Sequence, residues 1–135
     1  VGVCAARRDK RPLVLVGDGA FQMTGTEIST LARLGSNAIV IVFNNSGYST
    51  ERFILDGPFN DIHPWSFHRL AEVLGPLEGR LAATEEEFEK ALQQSLATLD
   101  RPSLIEVTLP ARDPSPAMKR LAENLKAIVD GKAQG

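Results

Sequence analysis

The chain alternates short apolar runs with segments of helical periodicity. Leu13 to Val16 is wholly apolar, and Ala38 to Phe43 is a second such run that ends at two asparagines. Continuous runs of this length, rich in β-branched residues, are typical of strands that are buried on both faces of a parallel sheet. Two further strands are predicted: a brief one from Arg80 to Ala83, and a last one from Leu104 to Leu109, whose alternating pattern favours an edge position.

Helix signals fill the segments between these strands. Thr24 to Glu27 has the spacing of a capping box, and Gly35 suits the end of the helix that follows. A short helix is expected from Trp65 to Leu74, and a second capping box at Thr84 to Glu87 begins a helix with an apolar face. Ser115-Pro116 offers an N-cap and a first helical position for the last helix. Strands that alternate with helices predict an α/β fold: a doubly wound, mostly parallel sheet with helices on both faces.

Length, charge and cysteine content narrow the class of protein. The 135 residues suffice for one domain over residues 1–135 and not for two. The net charge of −2 gives no basic surface, so we expect neither nucleic acid nor a membrane as partner, and the single cysteine indicates a reducing, cytoplasmic location. Val1 to Arg8 has the pattern of a helix end with no N-cap ahead of it, so we expect a domain truncated at its N-terminal side. The two histidines, His63 and His68, are expected on a loop and on a helix surface.

The candidate chemistry lies where the first two strands end. Gly17-Asp18-Gly19 follows the first strand and Asn44-Asn45 the second, and parallel strands bring both to one edge of the sheet. A glycine-rich turn between strand and helix is typical of phosphate binding. The dinucleotide version of this motif does not fit, because Gln22 stands where its third glycine would be and no acidic residue follows the second strand.

Asp18 indicates how a phosphate could be held. A carboxylate aimed at a diphosphate repels it by ~4 kcal/mol for unit charges 4 Å apart at an effective dielectric constant of 20. A divalent cation between the two groups turns this repulsion into attraction. Mg²⁺ prefers oxygen ligands, which come from one or two protein groups and from phosphate oxygens. The carboxylate of Asp18, the amide oxygen of Asn45 and a backbone carbonyl of the Gly47 turn could supply the protein ligands.

The same residues carry a family resemblance. GDG, then 24 residues, then NN resembles the cofactor signature of thiamine diphosphate enzymes. The segments GDGAFQMTGTEISTLARLG, IVFNNSGYSTERFI and PFNDIHPW resemble the pyruvate and indolepyruvate decarboxylases, which are 2-oxo acid decarboxylases. The resemblance is clear over residues 1–109. It implies a C-terminal diphosphate-binding domain with an incomplete thiamine diphosphate-binding fold.

The resemblance also implies roles for particular residues. Asp18, Asn45 and the carbonyl of Gly47 would hold Mg²⁺, and Glu51 would be the active-site acid. The cofactor-facing positions implied besides these three are Gly17, Gly19, Ala20, Tyr48, Ser49 and Thr50. The family often has a bulky aliphatic residue where this chain has Thr50, which leaves the substrate preference open.

The activity implied is that of a lyase, the non-oxidative decarboxylation of a small 2-oxo acid to an aldehyde and CO₂ with thiamine diphosphate and Mg²⁺. The partners implied are the pyrimidine-binding domain of the parent or of a neighbouring chain, in a homodimer or homotetramer, and the isolated chain would be inactive. Two alternatives stay open: a carboligase of the acetolactate synthase kind and a non-enzymatic phosphate-binding domain. On residues alone, a solvated ion pair between Glu51 and Arg52 is favoured over a catalytic role for Glu51.

Overall fold

A computed structural model describes residues 1–132 of the chain. Four strands form one sheet in the order β1-β2-β4-β3, and each neighbouring pair is parallel. The strands are β1 (Leu13–Gly17), β2 (Ile39–Asn44), β3 (Glu78–Ala82) and β4 (Ser103–Thr108). The predicted α/β class with a parallel sheet is therefore confirmed.

The α-helices of the described chain are α1 (Gly2–Ala6), α2 (Asp18–Thr24), α3 (Ile28–Arg33), α4 (Ser49–Ile54), α5 (Glu85–Ala97) and α6 (Pro116–Lys132). Short 3₁₀ helices cover Gly25–Glu27, Pro58–Asn60 and Phe67–Glu72. None of the helices within residues 1–132 has both the length and the apolar character that crossing a bilayer demands. The described chain divides into two compact units, residues 1–44 with 65–109 and residues 45–64 with 110–132.

The first unit contains the whole sheet, with a hydrophobic cluster on each face. On one face, Phe21, Ile28 and Leu31 from α2 and α3 pack with sheet residues and with Phe67. On the other face, Ala91 of α5 packs with Ile39, Ile41 and Ile105. Helices thus cover both faces of the sheet, as the alternating pattern predicts.

Two predictions about strand position are wrong. β1 is an edge strand, and Leu13, Val14 and Leu15 are 58%, 40% and 61% exposed, whereas the apolar run predicts burial on both faces. β4 lies between β2 and β3 with residues 103–106 buried, whereas the alternating pattern predicts an edge position. The polar residue that gives β4 its alternating pattern, Glu106, is itself buried and hydrogen-bonded, so its polarity does not mark a solvent-exposed face.

The helix boundaries depend on local hydrogen bonds. α2 begins at Asp18, six residues before the predicted capping box at Thr24, whose side chain makes no cap hydrogen bond. Gly35 does end its helix, with φ of +62° and an N–H that donates to the carbonyl of Ala32 at 3.0 Å. The second capping box is also confirmed, because Thr84 and Glu87 each accept a hydrogen bond from the backbone of the other at 3.2 Å.

The second unit contains α4, the 3₁₀ helix Pro58–Asn60 and α6. The Tyr48 N–H donates to the carbonyl of Asn60 at 2.9 Å, which closes the loop from residue 48 to residue 60. α6 starts as predicted: the hydroxyl of Ser115 accepts the Met118 N–H at 3.2 Å, and Pro116 is its first residue.

Candidate functional site

The glycine-rich turn places Asp18 at the end of β1. Asp18 is the first residue of α2 and only 1% exposed, and its Oδ1 accepts the Gly19 N–H at 2.8 Å. Gly17, the last residue of β1, pairs with Phe43 of β2. Asp18 and Asn44 therefore each follow this pair by one residue, at the same edge of the sheet, as the sequence predicts.

A buried carboxylate that the sequence analysis missed holds Asn44. Asn44 Nδ2 donates to Oε1 of Glu106 at 2.6 Å, and the His68 N–H donates to Oε2 of the same carboxylate at 3.0 Å. Nδ1 of His68 also lies 2.5 Å from that Oε2. His68 is thus part of a polar cluster and not merely a helix-surface residue. The available signal was Glu106 itself, a charged residue within an apolar strand.

In the second unit, the turn after β2 has a backbone that only glycine fits at residue 47. Gly47 has φ of +135°, and Ser46 before it has φ of +62°. A Cβ on Gly47 would overlap the carbonyl oxygen of Asn60 and lie 2.6 Å from Nη2 of Arg52. Gly47 is also paired with Asp61 through an isolated antiparallel bridge. The position predicted to offer a backbone carbonyl to a metal is therefore tightly determined.

Arg52 holds this turn from the side of α4. Its Nη2 donates to the carbonyl of Ser46 at 2.6 Å and to Oδ1 of Asp61 at 2.7 Å, and its Nη1 lies 3.5 Å from the carbonyl of Asn45. The Arg52 side chain is only 7% exposed. Its ion-pair partner in this unit is Asp61 and not Glu51, so the Glu51–Arg52 surface pair considered from the sequence does not form.

Glu51 lies at a cavity of about 450 Å³ in the second unit. The cavity is lined by Tyr48, Glu51, Ile54, Leu55, Phe59 and Asn60. Glu51 is exposed, and none of the described residues of its unit makes a hydrogen bond or ion pair with its carboxylate. A single acid beside three apolar side chains can bind a small molecule that has both a proton to exchange and an apolar part.

The remaining predicted residues lie at the beginnings of two helices, one in each unit. Gly19 and Ala20 are in the first turn of α2, and Ser49 and Thr50 in the first turn of α4. Ser49 Oγ donates to the carbonyl of Ala111 at 3.3 Å. The Asn45 side chain has no hydrogen-bond partner among the described residues of its unit.

The donor types fit a hard cation. No group of three or more His, Cys, Asp or Glu side chains within residues 1–132 is arranged to hold a metal. The predicted set instead combines one carboxylate, one amide oxygen and one backbone carbonyl. Such mixed oxygen sets suit Mg²⁺, which keeps several positions for phosphate or water.

Comparison with known proteins identifies the class. The family description "Thiamine pyrophosphate enzyme, C-terminal TPP binding domain" matches residues 1–107. The chain belongs to this family, as the motif resemblance predicts. This match contains all the predicted site residues.

The relatives within the family are decarboxylases. The chain is 35% identical to the probable pyruvate decarboxylase Pdc101 of Schizosaccharomyces pombe over 99% of this chain and 24% of that protein. It is 37% identical to the indole-3-pyruvate decarboxylase of Azospirillum brasilense over 95% of this chain and 24% of that protein. Among solved structures, the thiamine diphosphate-dependent 4-hydroxybenzoylformate decarboxylase of Rhodococcus jostii RHA1 is similar at a TM-score of 0.75 and 30% identity, over 85% of this chain and 22% of that one. The chain thus spans about a quarter of the length of these relatives.

Proposed function

We propose that the chain is the diphosphate- and magnesium-binding part of a 2-oxo acid decarboxylase, a lyase that converts a 2-oxo acid to an aldehyde and CO₂. The observation that carries the proposal is the family match to residues 1–107, because this span contains every predicted site residue. The names of the relatives support the reaction type. The resemblance of residues 17–65 to pyruvate and indolepyruvate decarboxylases points the same way.

In this proposal Asp18, Asn45 and the carbonyl of Gly47 hold Mg²⁺, which in turn holds the diphosphate. The buried Asp18 carboxylate and the amide of Asn45, which has no hydrogen-bond partner in its unit, support this assignment. The further contacts with the cofactor come from Gly17, Gly19, Ala20, Tyr48, Ser49 and Thr50. The metal cancels the repulsion between Asp18 and the phosphates, estimated at ~4 kcal/mol for one charge pair.

Thiamine diphosphate, when bound, supplies the carbon nucleophile and the electron sink that decarboxylation requires. The role proposed for Glu51 is to give and take a proton through its carboxylate oxygens at the reacting carbon of the substrate. The apolar walls at Ile54, Leu55 and Phe59 hold the side chain of the 2-oxo acid and keep water from it. Glu51 is exposed in this chain. In this proposal, the pyrimidine-binding domain of the parent or of a neighbouring chain shields it from solvent.

The proposal extends to assembly and location. We propose a homodimer or homotetramer in the cytoplasm. We also propose that this chain is inactive by itself, since the decarboxylases it resembles are about four times its length. The relatives named above act on, or are named for, pyruvate, indolepyruvate and 4-hydroxybenzoylformate, so the proposed substrate class is a small 2-oxo acid.

Calorimetric titration of thiamine diphosphate into the full-length protein, with and without Mg²⁺, tests the binding half of the proposal. The expected result is binding that requires Mg²⁺. Product analysis with pyruvate, indolepyruvate and benzoylformate tests the reaction. An aldehyde product supports the decarboxylase, whereas a carboligation product such as acetolactate would replace it with the carboligase alternative. Absence of any cofactor binding would leave the non-enzymatic phosphate-binding alternative.

A further inference from the structure

Glu106 occupies an unusual place for a carboxylate. It lies in β4, between β2 and β3, and is only 4% exposed, directly after the fully buried Leu104 and Ile105. Burial of a carboxylate costs several kcal/mol unless its oxygens are hydrogen-bonded. An apolar residue would fill the same place in the core without that cost, so the contacts of Glu106 indicate what it does.

Both oxygens of Glu106 accept hydrogen bonds, and each reaches a different element. Oε1 accepts from Nδ2 of Asn44, the last residue of β2, at 2.6 Å. Oε2 accepts from the N–H of His68, in the 3₁₀ helix, at 3.0 Å, and lies 2.5 Å from Nδ1 of the same residue. One side chain therefore fixes the end of β2 and the beginning of Phe67–Glu72.

The bond to Asn44 matters because Asn44 directly precedes a proposed metal ligand. Asn44 is peptide-bonded to Asn45, the residue assigned to the metal, and Gly47 comes two residues later. Charge-assisted hydrogen bonds are about twice as strong as neutral ones, so the 2.6 Å contact restrains the Asn44 side chain more than a bond between two amides would. Because Asn44 and Asn45 share a peptide bond, a restraint on Asn44 also restrains the backbone from which Asn45 starts.

We infer that Glu106 is a positioning residue for the metal-dependent binding of the cofactor, and that it acts through Asn44. This inference rests on the function proposed above for Asn45. Glu106 touches neither the metal nor the substrate in this scheme. It orients the residue that precedes a ligand.

The variant Glu106→Gln removes the charge of the carboxylate and keeps the volume of the side chain. A glutamine has one acceptor oxygen where Glu106 uses two, so its NH₂ group faces either Nδ2 of Asn44 or the N–H of His68. Two donors cannot bond, so either Asn44 must turn its amide over or the bond to His68 is lost. The matched control is Glu72→Gln, the same chemical change at an exposed pair with Arg69, in the 3₁₀ helix that Glu106 contacts.

The dissociation constants of Mg²⁺ and thiamine diphosphate, measured by calorimetry on the full-length protein, are the primary readout. For Glu106→Gln we expect both to rise at least tenfold, with kcat at saturating metal and cofactor within about threefold of the parent. Glu72→Gln should leave all of these values unchanged. A melting temperature that falls in Glu106→Gln while both dissociation constants stay the same would show a purely structural residue and overturn the inference.

Asn44→Ala tests the proposed route. If Glu106 acts through Asn44, Asn44→Ala weakens binding similarly, and adding Glu106→Gln to it produces no further loss. Additive losses would overturn the route through Asn44. Should Glu106→Gln not fold, unchanged dissociation constants in Asn44→Ala alone would still refute the inference, and a tenfold rise would support it. A parent protein that binds no cofactor with Mg²⁺ would instead refute the proposed function, and this inference with it.

Discussion

Replacement of Gly47 by alanine gives a sharp test of the turn after β2. The φ of Gly47 is +135°, a region that residues with a side chain occupy at a cost of about 1–3 kcal/mol. The added Cβ would also overlap the carbonyl oxygen of Asn60. This oxygen accepts the Tyr48 N–H at 2.9 Å, so moving it away weakens a hydrogen bond with a net contribution of about 1 kcal/mol.

Together, the backbone strain and the weakened hydrogen bond raise the free energy of this turn by about 2–4 kcal/mol in Gly47→Ala. If this turn offers its carbonyl to Mg²⁺, and the alanine variant relaxes out of the turn when no cofactor is bound, this free energy is lost from cofactor binding because binding must restore the turn. Since 1.4 kcal/mol is tenfold in affinity, the lower bound of ~2 kcal/mol predicts a dissociation constant raised about 30-fold.

Gly35→Ala is the matched control, because Gly35 also has a positive φ, of +62°, but has nothing within 4 Å of an added Cβ. It should destabilise the end of α3 by about 1–2 kcal/mol and leave cofactor affinity unchanged. The assay is calorimetric titration of thiamine diphosphate at saturating Mg²⁺ into the full-length protein. A change of less than about threefold in Gly47→Ala, with a free energy of unfolding close to that of the parent and Gly35→Ala behaving as expected, would refute the assignment of this turn to the metal.

Four further outcomes are expected. A chelator should abolish binding of thiamine diphosphate, and Asp18→Ala should remove the dependence on metal; affinity that a chelator leaves unchanged contradicts both. Glu51→Gln should lower kcat by roughly 10²–10⁴ at saturating cofactor with little change in cofactor affinity, and a loss below about fivefold contradicts a catalytic role. Thr84→Ala should destabilise α5 by about 0.5–2 kcal/mol in thermal unfolding, whereas Thr84→Ser, which keeps the capping hydroxyl, should not.

The features that sequence reasoning predicted correctly are those set by a few neighbouring residues. The capping box at Thr84, the helix stop at Gly35 and the N-cap at Ser115 all depend on hydrogen bonds that span at most five residues. The motif from Gly17 to Asn45 is predictable for a related reason, since its spacing is that of one strand, helix and strand in a parallel sheet.

The wrong predictions about strand position depend on contacts between distant segments, whereas the missing capping box at Thr24 is a local failure, since α2 already begins at Asp18. Whether β1 or β4 lies at the edge is decided by which strands pair, and no local pattern in either strand determines that. Glu106 made β4 look half exposed because its partners lie 62 and 38 residues away in the sequence, at Asn44 and His68. A polar residue in a strand marks solvent only when it lacks such partners.

The two asparagines of the motif have different surroundings. This difference explains why the motif has two asparagines although the proposed metal site uses only one of them. Asn44 is tied to the sheet, through the bond from its amide to Glu106 in β4. Asn45 is tied to α4 only through its backbone, whose carbonyl lies 3.5 Å from Nη1 of Arg52, and its side chain is not used within its unit. An amide oxygen binds a metal most readily when its backbone is fixed and the oxygen itself accepts no other hydrogen bond. With Asn44 replaced by a residue that cannot bond Glu106, Asn45 would remain in the sequence but lose the fixed strand end that orients it. In the function proposed above, the motif is therefore an anchor followed by a ligand and not two ligands.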